Sequence, residues 1–187
     1  MTSREQLKDH LDRCVHLVRS VLMKRAITAI NPDPNLNFWR LILGNQMDIA
    51  VLEWCKLFGS NSEPTHWKQV VPADKHENFR KDLIAHAGTT REGWSSYWEE
   101  LKNYRDNVAA HFNRDSAGPS YPELEIAIKS GCFYYKYIIH ELKALDDYSY
   151  LGYPDELETY CKDFEEQTKQ IAQVAISATK SMEENVR

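Results

Sequence analysis

Four cysteines are too few and too scattered to staple this chain: Cys14, Cys55, Cys132 and Cys161 form no CxxC pair, and no secretory leader precedes them. They are expected to be reduced, mostly buried thiols in a cytoplasmic protein. Glycine and proline are sparse as well, seven of each, and they fall between segments of apolar periodicity. No alternating Val, Ile and Thr run marks a strand. No stretch approaches the roughly 20 apolar residues that a membrane span requires, so a soluble chain with no membrane partner is expected. Seven histidines are scattered over six segments without an HExxH pair, which leaves no metal site to expect. There is also no P-loop and no Gly-rich dinucleotide fingerprint, so no cofactor is expected. No local signature marks a Ser or Cys nucleophile. Positive charge is not in excess: 23 Lys and Arg against 28 Asp and Glu give a net charge of −5. That balance disfavours a broad basic surface that wraps nucleic acid, and any RNA contact has to be local.

What the chain does have is helical periodicity. With 187 residues it can bury one good core, and the expected fold is a single all-α domain over 1–187, an up-and-down helical bundle of five to six helices. Ser3 and Gln6 form a capping-box pattern. Leu7, Leu11, Cys14, Val18, Val21 and Leu22 then repeat at helical spacing, and NPDPN ends the pattern after Ile30. A second helix is predicted from about Leu36 to Phe58, ended by Gly59. Its inward stripe takes Phe38, Leu41, Ile42, Ile49 and Leu52, with Asn45 on the stripe and Asp48 at its border. Those polar groups need partners: either a neighbouring helix bonds them, or they orient residues across the bundle. Residues 60–72 read as a connector with a helical turn around Trp67, and a helix from about Ala73 to Ala87 follows, stopped by Gly88. Pro122 suits the first position of a helix reaching about Ala144. Apolar residues on several of its faces place that helix centrally or at a subunit contact, and Phe133, Tyr134, Tyr135 and Tyr137 fit core better than a base-stacking platform. The last helix is predicted over roughly Pro154 to Met182, charged early and small and apolar late, with a tail that frays.

The stretch around which the rest is organised runs from Trp94 to Arg114. On a wheel of roughly 100° per residue, Trp94, Tyr97, Leu101, Tyr104, Val108 and Phe112 make one apolar stripe. Arg105 and His111 flank it, at roughly +40° and −80° from Leu101. An Arg there can lay its stem over apolar neighbours, and a His can satisfy its ring inside the bundle. A purely structural account is therefore open for both.

The segment YRDNVAAHF also resembles the signature of the HEPN superfamily, the helical domains of prokaryotic toxin and defence systems and of several eukaryotic RNA-cleaving proteins. That signature is an Arg, four to six residues and a His, with Asn, Asp or His usually directly after the Arg; Arg105, Asp106 and His111 fit it. Ala109 and Ala110 before the His are similar to the abortive-infection branch. Arg80 and His86 repeat the spacing earlier, in FRKDLIAHAG, but Lys81 holds the polar position, so the later copy is preferred.

The resemblance implies a four-helix core with additions and a homodimer whose two motif copies line one cleft. It further implies metal-independent RNA cleavage, in which attack by the ribose 2′-hydroxyl leaves a cyclic phosphate; DNA lacks that hydroxyl and is not an expected substrate. By the same resemblance His111 is the base and Arg105 the cation on the phosphate. The residue types suit those tasks: an imidazole titrates at about 6.5, and a guanidinium keeps its charge and grips two phosphate oxygens. Asp106 or Asn107 would hold polar groups in place. Arg114 could bind phosphate or simply favour the helix C-terminus. An antitoxin or regulatory protein is a further possible partner. Where one branch has a Tyr two residues after the His, this chain has Asn113, so regulation by a modified tyrosine finds no support. The wheel separates Arg105 from His111 by about 120°, and side-chain length or a second subunit must close that gap.

Two readings stand on the sequence. One is a HEPN-like endoribonuclease, favoured by the intact motif. The other is a non-catalytic helical bundle serving as an interaction or RNA-binding module, favoured by the acidic charge.

Overall fold

The first helix, α1 (Arg4–Ile30), buries Leu7, Leu11, Cys14, Val18 and Val21, and beside them Val15, Leu17 and Leu22. That stripe is too wide for a helix with one dry face. It packs against α2 (Asn37–Phe58), α5 (Glu125–Ala144) and α6 (Leu157–Glu183), and so forms the axle of the bundle. The shorter α3 (His76–His86) lies on α5, and α4 (Arg91–Tyr104) lies on α2. The computed structural model describes residues 4–109, 121–145 and 148–183, and among them there is no strand. The expected all-α bundle is the observed fold, with six α-helices among the described residues. No helix among them is long and apolar enough to cross a membrane. Ser3, the proposed first cap, and the tail beyond residue 183 lie outside the described residues.

Close approach between helices is visible at one glycine. A Cβ on Gly131 of α5 would lie 3.0 Å from Leu17 Cδ2 of α1, so the missing side chain lets the two axes draw together. The indole of Trp54, fully buried on α2, sits at the crossing of three helices. Its Nε1 donates to Ser130 Oγ at 3.0 Å, and its rings meet Trp94 and Tyr97 of α4 at centroid distances of 5.6 and 5.4 Å. Burying an indole this deeply requires that its N–H be satisfied, and Ser130 does so. Tyr134 and Tyr135 are likewise buried, as expected of core rather than a stacking platform, and α5 is central. All four cysteines are free and buried.

Three boundaries and one face differ from expectation. The helix predicted from Ala73 opens as a 3-10 turn, Ala73–Lys75, before α3, and Gly88 ends it at φ +70°, a left-handed conformation that favours glycine. Pro122 lies three residues ahead of α5, which starts at Glu125, and α6 starts at Leu157 instead of Pro154. The larger correction concerns α2, where Phe38 is 61% exposed, Leu41 64% and Ile49 40%. The buried face carries Trp39, Met47, Ala50, Val51, Trp54, Cys55, Leu57 and Phe58. Both sides of α2 are apolar, and the side with the two tryptophans removes more area from water, so it turns inward. Asn45 consequently points outward and is exposed, whereas Asp48 is half-buried.

Candidate functional site

Thr90 caps α4: its Oγ1 accepts the Gly93 N–H at 3.1 Å, satisfying one of the unpaired donors of the first turn. From there Tyr97, Leu101 and Tyr104 turn inward against α2, as the stripe requires. The Trp98 indole Nε1 reaches the carbonyls of Phe58 and Gly59 at 3.0 and 3.1 Å, closing the end of α2. At the other end of α4 the Tyr104 hydroxyl donates to Asp48 Oδ1 at 2.8 Å. Burial, and then the Asp48 carboxylate, push the Tyr104 phenol well above its ordinary pKa, so it stays a donor. Asp48 thus has the neighbouring-helix bond that a polar residue at that border needs.

Immediately beyond Tyr104 the winding changes. Arg105–Ala109 is π-helical, a widened turn that recurs at functional sites. A wheel drawn at 100° per residue therefore does not hold past Tyr104. Within this turn Arg105 is partly buried, and its Nε donates to Asp106 Oδ1 at 2.7 Å. Adjacent residues of a regular α-helix do not face each other. Asp106 raises the guanidinium pKa further, and its bond is made at Nε, leaving Nη1 and Nη2, the ends that fork onto a phosphate, outside that contact. Asn107 is exposed and donates from Nδ2 to the Asn103 carbonyl at 3.0 Å. Val108 and Ala109 pack against the main core. His111, Phe112 and Arg114 lie outside the described residues.

Arg105 lies on the wall of a cleft of about 970 Å³ between α4, α3 and the connector after α2. The connector contributes a 3-10 turn, Trp67–Gln69, where His66 Nδ1 accepts the Lys68 N–H at 3.2 Å. The earlier Arg and His pair does not converge: Arg80 lines this cleft, whereas His86 faces Glu158 at 3.8 Å and the Phe133 ring. Phe79 and Leu83 are inward, as an ordinary amphipathic helix would place them.

Other titratable groups nearby are unsuited to proton transfer near neutrality. Burial pushes the Cys55 thiol up to about 11, against the opposing pull of Arg105, which keeps it protonated and disfavours the reactive thiolate near neutral pH. Burial lowers both His10 and His66 to about 4. Among the described residues no group of three or more His, Cys, Asp or Glu side chains is placed to hold a metal ion.

Sequence reasoning singled out Arg105 and Asp106 but missed the cleft, because its cations come from three separate segments. One signal was present along α4: Arg91, Trp94, Ser95, Trp98, Glu99, Lys102 and Arg105 recur every three or four residues and share one wall of the cleft. That wall adjoins the buried stripe. No family model, no curated protein and no solved structure matches the chain.

Proposed function

We propose that the chain is a metal-independent endoribonuclease of the HEPN toxin or antiviral-defence type, acting in the cytoplasm as a homodimer. The observation that carries this reading is the setting of Arg105: a partly buried guanidinium, braced by Asp106 on a π-turn, at the edge of a cationic cleft in an acidic chain. In the proposed reaction His111 takes the proton of a ribose 2′-hydroxyl, whose oxygen attacks the adjacent phosphorus. The bond to the 5′-oxygen breaks, that oxygen is protonated, and a cyclic phosphate remains on the upstream fragment. Arg105 stabilises the charge gathering on the phosphate oxygens, typically the largest catalytic contribution of this kind.

The exposed apolar side chains of α2 support the dimer. Ile49 adjoins Asp48, which holds Tyr104 beside Arg105, and Leu41 lies two turns earlier on the same side of α2, so a second copy seated there would stand near the motif. A non-catalytic RNA-binding module would draw on the same cleft without needing His111. Induction of the wild-type chain beside His111→Ala in a bacterial host separates the two. Growth arrest and RNA fragments ending in cyclic phosphates, with the wild type alone, support the nuclease; intact RNA with both chains at matched soluble expression defeats it.

A further inference from the structure

The cleft beside Arg105 inverts the charge of the chain. Five cations line it, Lys68, Arg80, Arg91, Lys102 and Arg105, against one lining acid, Glu99. Even with Asp106 beside Arg105 and Glu77 beside Arg80 and Arg91 the cations outnumber the acids, whereas the whole chain has 23 basic and 28 acidic residues. Several of these cations are held by aromatic faces. Arg80 Cζ and Lys68 Nζ lie 6.0 and 5.7 Å from the centre of the Trp67 ring, and Lys102 Nζ lies 5.0 Å from that of Trp98. Contacts of this kind fix where a long flexible side chain puts its charge. Two guanidiniums converge on one point: Glu77 carboxylate oxygens lie 3.7 Å from Arg80 Nη1 and 4.0 Å from Arg91 Nη1. Glu77 is largely exposed, so this pairing is weak, and an incoming phosphate would compete for it readily.

The shape of the cationic wall selects among anions. Arg91 and Arg105 are separated by the full length of α4, about 21 Å at 1.5 Å per residue. That is longer than a single nucleotide. Between them the half-buried indoles of Trp94 and Trp98 share the wall. An acidic peptide would use the cations but not the rings, whereas single-stranded nucleic acid uses both, stacking bases on aromatics and running its backbone along the positive charge.

We propose that this cleft is the binding channel for single-stranded RNA, with the strand tracking α4 from Arg91 to Arg105 and so delivering its backbone to the proposed catalytic cation. The proposal rests on the ribonuclease reading for the choice of RNA over DNA and for the fate of that strand, but not for the binding of a single strand.

The test uses the full chain carrying His111→Ala, so that labelled eight-nucleotide oligo(A) and oligo(U) stay intact, and adds Arg91→Gln with Lys102→Gln. Fluorescence anisotropy across a salt series should show binding of both RNAs, at least ten-fold weaker after the two substitutions. The slope of log affinity against log salt should become shallower by about 1.4, two contacts at roughly 0.7 each. Equal affinity with and without the substitutions overturns the channel, as does absence of RNA binding at low salt, or polyglutamate of the same length binding as tightly as RNA. Cleavage assays distinguish the two claims. If the chain with His111 intact cleaves RNA with a KM unchanged by Arg91→Gln and Lys102→Gln, the channel fails and the nuclease stands. If RNA binds through the cleft but the wild type leaves it whole, the nuclease fails and the channel stands.

Discussion

Tyr104 and Asp48 are joined by a 2.8 Å hydrogen bond that crosses from α4 to α2 one residue before Arg105. The bond fixes the last α-helical residue before the backbone widens into the π-turn, and so sets where Arg105 begins. Tyr104→Phe removes the donor and leaves a half-buried carboxylate short of a partner. A hydrogen bond to a charged group is worth roughly 1.5–3 kcal/mol, and urea denaturation should show a loss in that range. Asp48→Asn keeps an acceptor oxygen in place and should cost less. If Tyr104→Phe is as stable as the wild type, the bond does not anchor the end of α4.

How much of this was legible in the sequence depends on how one-sided each helix is. The stripe of α4 read correctly at Tyr97, Leu101 and Tyr104, because the opposite face is polar and the choice of inward side is forced. The face of α2 did not, because Phe38, Leu41 and Ile49 compete with Trp39, Met47 and Trp54, and only packing against α1 decides between them. A wheel counts apolar residues but does not weigh an indole against an isoleucine. The π-turn at Arg105 left no trace in the periodicity. The cleft is a tertiary object: Lys68, Arg80 and Lys102 are far apart in the chain, and only the folding of the connector over α3 and α4 brings them together.

The proposed chemistry makes unequal demands on the motif residues. Arg105→Ala and His111→Ala should each lower RNA cleavage by about 100-fold or more, with far-UV circular dichroism unchanged. Arg105→Lys keeps the charge but loses the planar fork, and should recover little of that loss. Asp106→Asn weakens the brace on Arg105 without removing its charge, so its effect should be smaller, about 10-fold. Retention of full activity by Arg105→Ala at matched protein concentration would remove Arg105 from the mechanism.

The homodimer can be tested at the face that the wheel misplaced. Leu41 and Ile49 are 64% and 40% exposed on α2, so covering what remains against a second copy would contribute about half of the roughly 1.5–3 kcal/mol that full burial of such a side chain is worth. Sedimentation velocity of the wild type should give a dimer. Leu41→Glu places a charge in that contact and should shift the distribution to monomer at equal helicity, with a parallel loss of cleavage. A wild type that sediments as a monomer at tens of micromolar, or a Leu41→Glu dimer, would place the contact elsewhere or dispense with it.

Acid should weaken the fold well before the carboxylates titrate, because two buried imidazoles resist protonation. His10 pairs with the Tyr134 hydroxyl at 2.6 Å inside the bundle, and burial lowers it from 6.5 to about 4; His66 is lowered to a similar value, by burial and then by Lys68. The unfolded chain binds more protons than the folded one between those limits. Stability is therefore fully present above the unfolded value of 6.5, is lost as the pH falls towards 4, and changes little from these groups below that. For His10 alone the whole span is worth about 3 kcal/mol, of which about 2 kcal/mol goes by pH 5. Urea midpoints measured from pH 7.5 to 5 should fall accordingly, and His10→Gln, which cannot take up a proton in either state, should give a visibly shallower profile. An unchanged slope in that variant would mean that His10 is protonated in the folded chain and that its contact with Tyr134 survives the charge.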